Sequence, residues 1–201
     1  MIVLVGRKAP DFTAPVVLAD GTIVDNYTLS ERTRGQYVVV FFYPHDFTFV
    51  CPSELIAFDR RSAEFGRRDV QLVAVSTDSH HTHYAWRNTP IECGGIGPVG
   101  YPLVADMTHA IAKAYGVETL DGTAALRGSF LIDRSGVVRH QIVNDLPLGR
   151  DVDEMLRVID ALQYHEQYGE VCPAGWHPGK RAMKETYESV ASYLVLEGAS
   201  L

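Results

Sequence analysis

Seven consecutive residues, Tyr37-Val38-Val39-Val40-Phe41-Phe42-Tyr43, are all β-branched or aromatic and show no alternation of apolar and polar side chains. A strand with one face in water alternates, whereas a strand covered on both faces reads as a continuous apolar run. This segment therefore demands a sheet with helices on both sides. Pro44 ends it, because proline has no N–H to give to a ladder.

The neighbouring segments supply those partners. Val16–Ala19 and Thr22–Val24 flank Asp20-Gly21, a hairpin signal. Pro52 to Phe65 reads as a helix, with Leu55, Phe58 and Phe65 near one face. Gln71–Ser76 is a second buried strand. Ser79–Asn88 reads as a helix stopped by Pro90, Pro102–Ala105 as a short strand and Met107–Tyr115 as a helix. Ser129–Ile132 and Val137–Ile142 flank Asp133-Arg134-Ser135-Gly136, a type I turn signal. Asp151–Tyr164 is helical, with Val152, Met155, Leu156, Ile159 and Leu162 on one stripe. The order of these elements is that of a thioredoxin-like α/β sandwich with an N-terminal hairpin. Glu166–Lys180, with Gly169, Pro173, Gly175, Pro178 and Gly179, reads as an irregular arm. A final helix follows. Its apolar stripe of Met183, Tyr187, Val190 and Leu194 is expected to dock on its own domain or on a partner chain.

Composition narrows the function classes. The 201 residues carry 18 Lys and Arg against 25 Asp and Glu, a net charge of −7 that opposes a nucleic-acid or anionic-membrane partner. No apolar run is long enough to span a bilayer. The apolar Met1–Val5 stretch is too short for a secretory signal, and Arg7 and Lys8 follow rather than precede it, so a cytoplasmic location is expected. The only cysteines, Cys51, Cys93 and Cys172, are too few for a disulfide scaffold, and none is in a C-x-x-C pair.

Cys51 lies where a buried strand and a short loop give way to a helix. Pro52 fits the first helical position and Glu54 places an acid in the first turn. The positive end of the helix dipole and its unpaired N–H groups favour a thiolate there, the reactive form of cysteine. Against this stands simple burial, the usual state of a cysteine.

The segment Phe41-Phe42-Tyr43-Pro44, followed by Phe47-Thr48-Phe49-Val50-Cys51-Pro52-Ser53-Glu54, resembles the peroxidatic-cysteine signature of the typical 2-Cys peroxiredoxins, the group that includes bacterial alkyl hydroperoxide reductase C and thioredoxin peroxidases. The likeness continues through His80–Trp86, Gly94-Gly95-Ile96-Gly97, Arg127-Gly128, Val143–Pro147 and Gly169–Trp176. It implies a peroxidase that reduces hydrogen peroxide and small organic hydroperoxides, with Cys51 as the peroxidatic residue. Thr48 and Arg127 would orient and stabilise the breaking O–O bond, Pro44 would shield the sulfur, and Glu54 would orient Arg127. Cys172 would resolve the sulfenic acid as a disulfide, within one chain or between two.

The resemblance also implies a peroxidase domain over residues 1–165, with the arm and helix over 166–201 carrying Cys172. It implies homodimers paired through strand Val137–Val143, five of them in a ring, recycled by a thioredoxin-like or flavoprotein disulfide reductase. The Gly-Gly-Ile-Gly loop and last helix would slow disulfide formation, and Leu194 in place of the phenylalanine of sensitive members implies intermediate overoxidation. No haem, flavin or metal motif is present, so no cofactor or metal is expected. His80, His81 and His83 form no ligand set with a second cluster, and Cys93 is expected to be an inert thiol. A general thiol-disulfide oxidoreductase is disfavoured by the missing C-x-x-C, and a chaperone-like assembly is the alternative from another class.

Overall fold

Strand β3 (Tyr37–Phe42) lies inside a seven-stranded sheet of order β2-β1-β5-β4-β3-β6-β7. The other strands are β1 (Thr13–Val17), β2 (Ile23–Thr28), β4 (Val70–Ser76), β5 (Leu103–Ala105), β6 (Arg127–Ile132) and β7 (Val138–Asn144). The computed structural model describes residues 2–200. Strands β3, β4 and β5 are parallel neighbours, while β6 runs antiparallel to β3, and β7 antiparallel to β6. Every residue of β3 is buried, as its unbroken apolar run requires.

Alternate β3 side chains feed two cores. Val38, Val40 and Phe42 face Ile111, Ala112 and Tyr115 of helix α5 (Ala110–Ala114) and its cap. The Phe42 ring lies 5.1 Å from Tyr115 and 5.8 Å from Phe130. On the other face, Phe41 stacks at 4.1 Å on Phe58 of helix α2 (Cys51–Arg60) and meets Tyr101 edge-on at 5.4 Å. Tyr43 packs 5.9 Å from Trp86 of helix α4 (His80–Arg87). Helices thus cover both faces, and burying each of these aromatic rings contributes about 1.5–3 kcal/mol.

Several boundaries differ from those read in the sequence. A short helix α1 (Leu29–Arg32) precedes β3, and the single helix expected over 52–65 is two. Helix α2 ends at Arg60, Arg61 turns at φ −104° and ψ 8°, and α3 spans Ser62–Arg67. No glycine or proline marks that break. Helix α5 begins at Ala110 rather than Met107 because His109 adopts φ +61°. The Asp106 carboxylate then accepts the N–H groups of Ile111 and Ala112 at 3.1 and 2.7 Å. Cys51, not Pro52, occupies the first helical position of α2.

The β6–β7 turn is organised by Asp133. Its carboxylate accepts the Ser135 and Val137 N–H groups at 2.8 and 2.9 Å and Arg139 Nε at 2.6 Å. Burial opposes ionisation, but these donors prevail and draw the carboxyl down to about 2. A depressed carboxyl stabilises the fold above the unfolded-state value near 4, and the contribution is lost as pH falls through about 2. Asp133→Asn is therefore expected to cost about 2 kcal/mol at pH 7. The gap from the parent should close between pH 5 and pH 2, measured by urea denaturation; a gap independent of pH would contradict this.

Contacts divide the chain into compact units Met1–Val152 and Asp153–Leu201, ahead of the boundary expected after residue 165. The second unit holds nearly all of helix α6 (Val152–Tyr168), the arm, and helix α7 (Tyr187–Glu197). Helix α6 continues past Tyr164 until Gly169, at φ +67°, supplies the left-handed residue that ends it. Within this chain the expected α7 stripe is not a packed seam. Met183 belongs to a backbone bridge with Val171, while Tyr187, Val190 and Leu194 are exposed and Tyr193 is the buried residue. Among the described residues no helix is long and apolar enough to cross a membrane.

Candidate active site

Cys51 is completely buried at the start of α2. Pro52 at the next position has no N–H to satisfy, and Ser53 and Glu54 donate their N–H groups to Val50 O at 3.1 and 3.3 Å. One turn along, Glu54 is also buried and shares the inward face with Leu55 and Phe58. Across the sheet, Arg127 opens β6, where the side chain enters the same space. Its Nη1 donates to Cys51 Sγ at 3.4 Å and to Glu54 Oε2 at 2.6 Å, while Nε donates to Leu146 O at 2.7 Å. A fixed guanidinium thus reaches both the sulfur and a carboxylate.

The residue after it must be glycine. A Cβ on Gly128 would lie 2.8 Å from the Val117 side chain and 3.0 Å from the Phe130 ring. The Gly128 carbonyl accepts Arg150 Nη1 at 2.7 Å, and Ser129 Oγ takes the same nitrogen at 3.0 Å. Arg150 also grips Glu54: Nε and the backbone N–H reach Oε1 at 2.8 and 2.9 Å, and Nη2 reaches Oε2 at 3.1 Å. Its guanidinium lies beside the stacked Phe41 and Phe58 rings, 5.6 and 5.7 Å from their centroids.

Glu54 is therefore clamped by two arginines. Burial disfavours its charge, but Arg150 first and then Arg127 outweigh that cost and hold the carboxyl below its ordinary value. Burial likewise works against Arg127, yet Cys51 and Glu54 together raise it above the usual arginine range. Glu54 is a fixed anion that aims Arg127 at the sulfur. Arg150 is the site residue that sequence reasoning missed.

The loop before Cys51 is anchored separately. Pro44 is buried, and Thr48 Oγ1 donates to His45 O at 2.8 Å, a turn-closing bond that leaves the oxygen free to accept. Phe47 holds φ +53°, a left-handed conformation that costs a non-glycine residue about 1 kcal/mol or more. What holds it is Asp46, whose carboxylate takes Tyr43 OH at 2.8 Å and pairs with His83 Nδ1 at 2.7 Å. Burial is the main influence pushing Asp46 up. His83 thus serves this loop. His80 and His81 lie side by side, with ring centroids 4.1 Å apart.

The glycine loop read from the sequence packs beside α4. Trp86 Nε1 donates to Gly94 O at 2.9 Å, and any Cβ on Gly95 would collide with Thr89 O at 1.9 Å. Cys93 is exposed in a 3-10 turn, Ile91–Cys93. Cys172 lies in the second unit, half-buried, with its thiol directed to Ala161 O at 3.5 Å. Burial pushes that thiol up, Arg157 opposes the shift and Glu170 adds to it, for a net rise.

The chain is similar to known proteins along most of its length. Residues 5–141 match the AhpC/TSA family, and residues 161–195, which include Cys172, match the C-terminal domain of 1-Cys peroxiredoxin. The chain is 51% identical over 191 residues to alkyl hydroperoxide reductase C of Buchnera aphidicola subsp. Schizaphis graminum, covering 95% of this chain and 96% of that one. It is 49% identical over 189 residues to mouse peroxiredoxin-2, covering 94% of each. The reduced 2-Cys peroxiredoxin of Plasmodium vivax superposes with a TM-score of 0.92 at 47% identity, over 96% of this chain and 100% of that one.

Proposed function

Because this chain belongs to the AhpC/TSA family of peroxiredoxins, thiol-dependent peroxidases with a thioredoxin-like α/β fold, we propose that Cys51 is its peroxidatic residue and Cys172 its resolving residue. The observation that carries this reading is the Arg127 guanidinium bridging Cys51 Sγ and Glu54.

The Cys51 thiolate attacks one peroxide oxygen. A sulfur–oxygen bond forms, the O–O bond breaks, and the leaving oxygen departs as water or an alcohol after taking a proton. Negative charge grows on that leaving oxygen, and a preorganised cation close to the sulfur stabilises it most at that moment. Arg127 supplies the cation, Glu54 and Arg150 fix its aim, Thr48 orients the peroxide, and Pro44 excludes water. In the second step the Cys172 thiolate attacks the sulfenic sulfur. An S–S bond forms, the S–O bond breaks, and hydroxide leaves with a proton as water. An external dithiol, from a thioredoxin-like or flavoprotein reductase, then restores both thiols.

The remaining assignments extend this reading. The domain over residues 1–165 performs the peroxide step, and residues 166–201 bring the resolving thiol. Strand β7 is the last strand of the sheet, with the N-terminal segment bonded at its start through Gly6 and Arg7 to Val138; that outer position suits pairing with a second copy, and five such dimers would close a ring. The cytoplasm, with its reducing thiol pool, is the fitting compartment.

Turnover with two reductants separates the roles of the cysteines. Cys51→Ser is expected to lose peroxide consumption with either reductant. Cys172→Ser is expected to keep it with dithiothreitol, which attacks the sulfenic acid directly, and to lose at least about 90% of it with a thioredoxin-like protein. Full activity of Cys172→Ser with the protein reductant would overturn the resolving role.

A further inference from the structure

The loop that carries Cys172 is closed on itself. Val171 and Met183 exchange both backbone bonds, N to O at 2.7 Å and back at 3.0 Å. Between them the chain folds around Trp176, which is 3% exposed. Its Nε1 donates to Lys180 O at 3.1 Å, and its ring lies 4.7 Å from Tyr164 of α6. Tyr164 in turn donates to Glu170 at 2.8 Å.

One charged side chain ties this loop to the helix. Arg157 Nη1 donates to Trp176 O at 3.1 Å. Its Nε and Nη2 form a two-pronged grip on Glu154, at 2.6 and 2.7 Å, one turn earlier on α6. The guanidinium is therefore preset on the helix before it meets the loop. Loop closure in turn holds Cys172 against Ala161 O.

We propose that Arg157 is the latch that keeps the Cys172 loop docked on α6, and that its grip on the Trp176 carbonyl sets how fast Cys172 is released to resolve the Cys51 sulfenic acid. This rests on the reading of Cys172 as the resolving residue. In the docked loop the Cys172 thiol donates to a carbonyl and burial favours the protonated form, so it is poorly nucleophilic. Opening the latch frees the sulfur to travel and exposes it to water, where the thiolate forms more readily. Arg157 is a positioning residue: it acts on the reaction only through the loop. Slow release leaves Cys51 longer as sulfenic acid, open to a second peroxide and to sulfinic acid.

The test compares the parent with Arg157→Gln and Arg157→Lys in the full-length protein. Reduced protein is mixed with one equivalent of hydrogen peroxide, quenched by alkylation at timed intervals, and weighed. The Cys51–Cys172 disulfide is expected to form about three- to tenfold faster in Arg157→Gln, the change that loss of one partly exposed charge-assisted bond produces. Arg157→Lys, with a cation but no fork, is expected between the two. The rate of sulfenic acid formation should not change. The peroxide concentration giving half-maximal sulfinic acid should rise by the same factor, a partition that a merely structural role would not move. Should Arg157→Gln fail to fold, Glu154→Gln leaves the guanidinium but loosens its anchor, and a smaller acceleration is expected. Disulfide formation equal to or slower than the parent's in the folded variants overturns the latch. A parent that forms no Cys51–Cys172 disulfide overturns the resolving role itself.

Discussion

Arg127→Gln is expected to slow the reaction of Cys51 with hydrogen peroxide by about 10²–10³-fold, the range found when one preorganised donor to a developing charge is removed. The side chain is nearly fully buried, so its charge acts through little intervening water. Glutamine keeps a donor at the level of Arg127 Nε but neither the cation nor the reach of Nη1 to the sulfur, so the loss reports the whole guanidinium contact. The fold should survive, because Glu54 retains all its bonds to Arg150. Stopped-flow measurement of sulfenic acid formation, with thermal unfolding as a control, checks both halves. A loss under tenfold in a folded variant would remove Arg127 from the chemistry.

The second large effect falls on stability. Arg150→Met is expected to cost about 3–5 kcal/mol, the usual consequence of removing one partner of a buried ion pair. Three acceptors lose donors at once: the Glu54 carboxylate, the Gly128 carbonyl and Ser129 Oγ. Each stands in a region that water does not reach, and the Arg150 side chain itself is 2% exposed. Methionine can fill the space beside the stacked Phe41 and Phe58 rings but cannot bond to any of the three. For a chain of this size the change corresponds to a melting point lower by roughly 10 °C. Activity should fall with it, since Glu54 would no longer be held from two sides. Denaturant unfolding at matched protein concentration measures the cost, because association with a second copy would add to apparent stability. A loss below about 1 kcal/mol would mean that the clamp carries little weight.

What the sequence disclosed, and what it hid, follows from the range of each interaction. The unbroken run Tyr37–Tyr43 demanded a strand covered on both faces, and β3 is buried throughout. Pro52 and Glu54 marked a helix start at Cys51, because capping and dipole effects act within one turn. The pairing of Arg127 with Glu54 was accessible only through the family resemblance, since nothing local says that an arginine before a strand meets a carboxylate on a distant helix. Arg150 shows the same limit more sharply. Its one local sign is a cation just ahead of the α6 N-terminus, where the dipole disfavours positive charge and some other group must hold it. The α7 stripe was misread at its start for a different reason. Spacing alone made Met183 the first member of a helical face, but its backbone pairs with Val171 and the helix starts only after Thr186 caps it.

The cycle between Cys51 and Cys172 is tested most directly by intact mass and non-reducing gel electrophoresis after one equivalent of hydrogen peroxide, on the parent and on Cys51→Ser and Cys172→Ser. The predicted result is a Cys51–Cys172 disulfide in the parent, seen as a covalent dimer if the bond joins two subunits, and absent from both variants. Cys172→Ser should instead gain one oxygen at Cys51. A parent that only gains oxygen, or stays unchanged, would contradict the two-cysteine cycle.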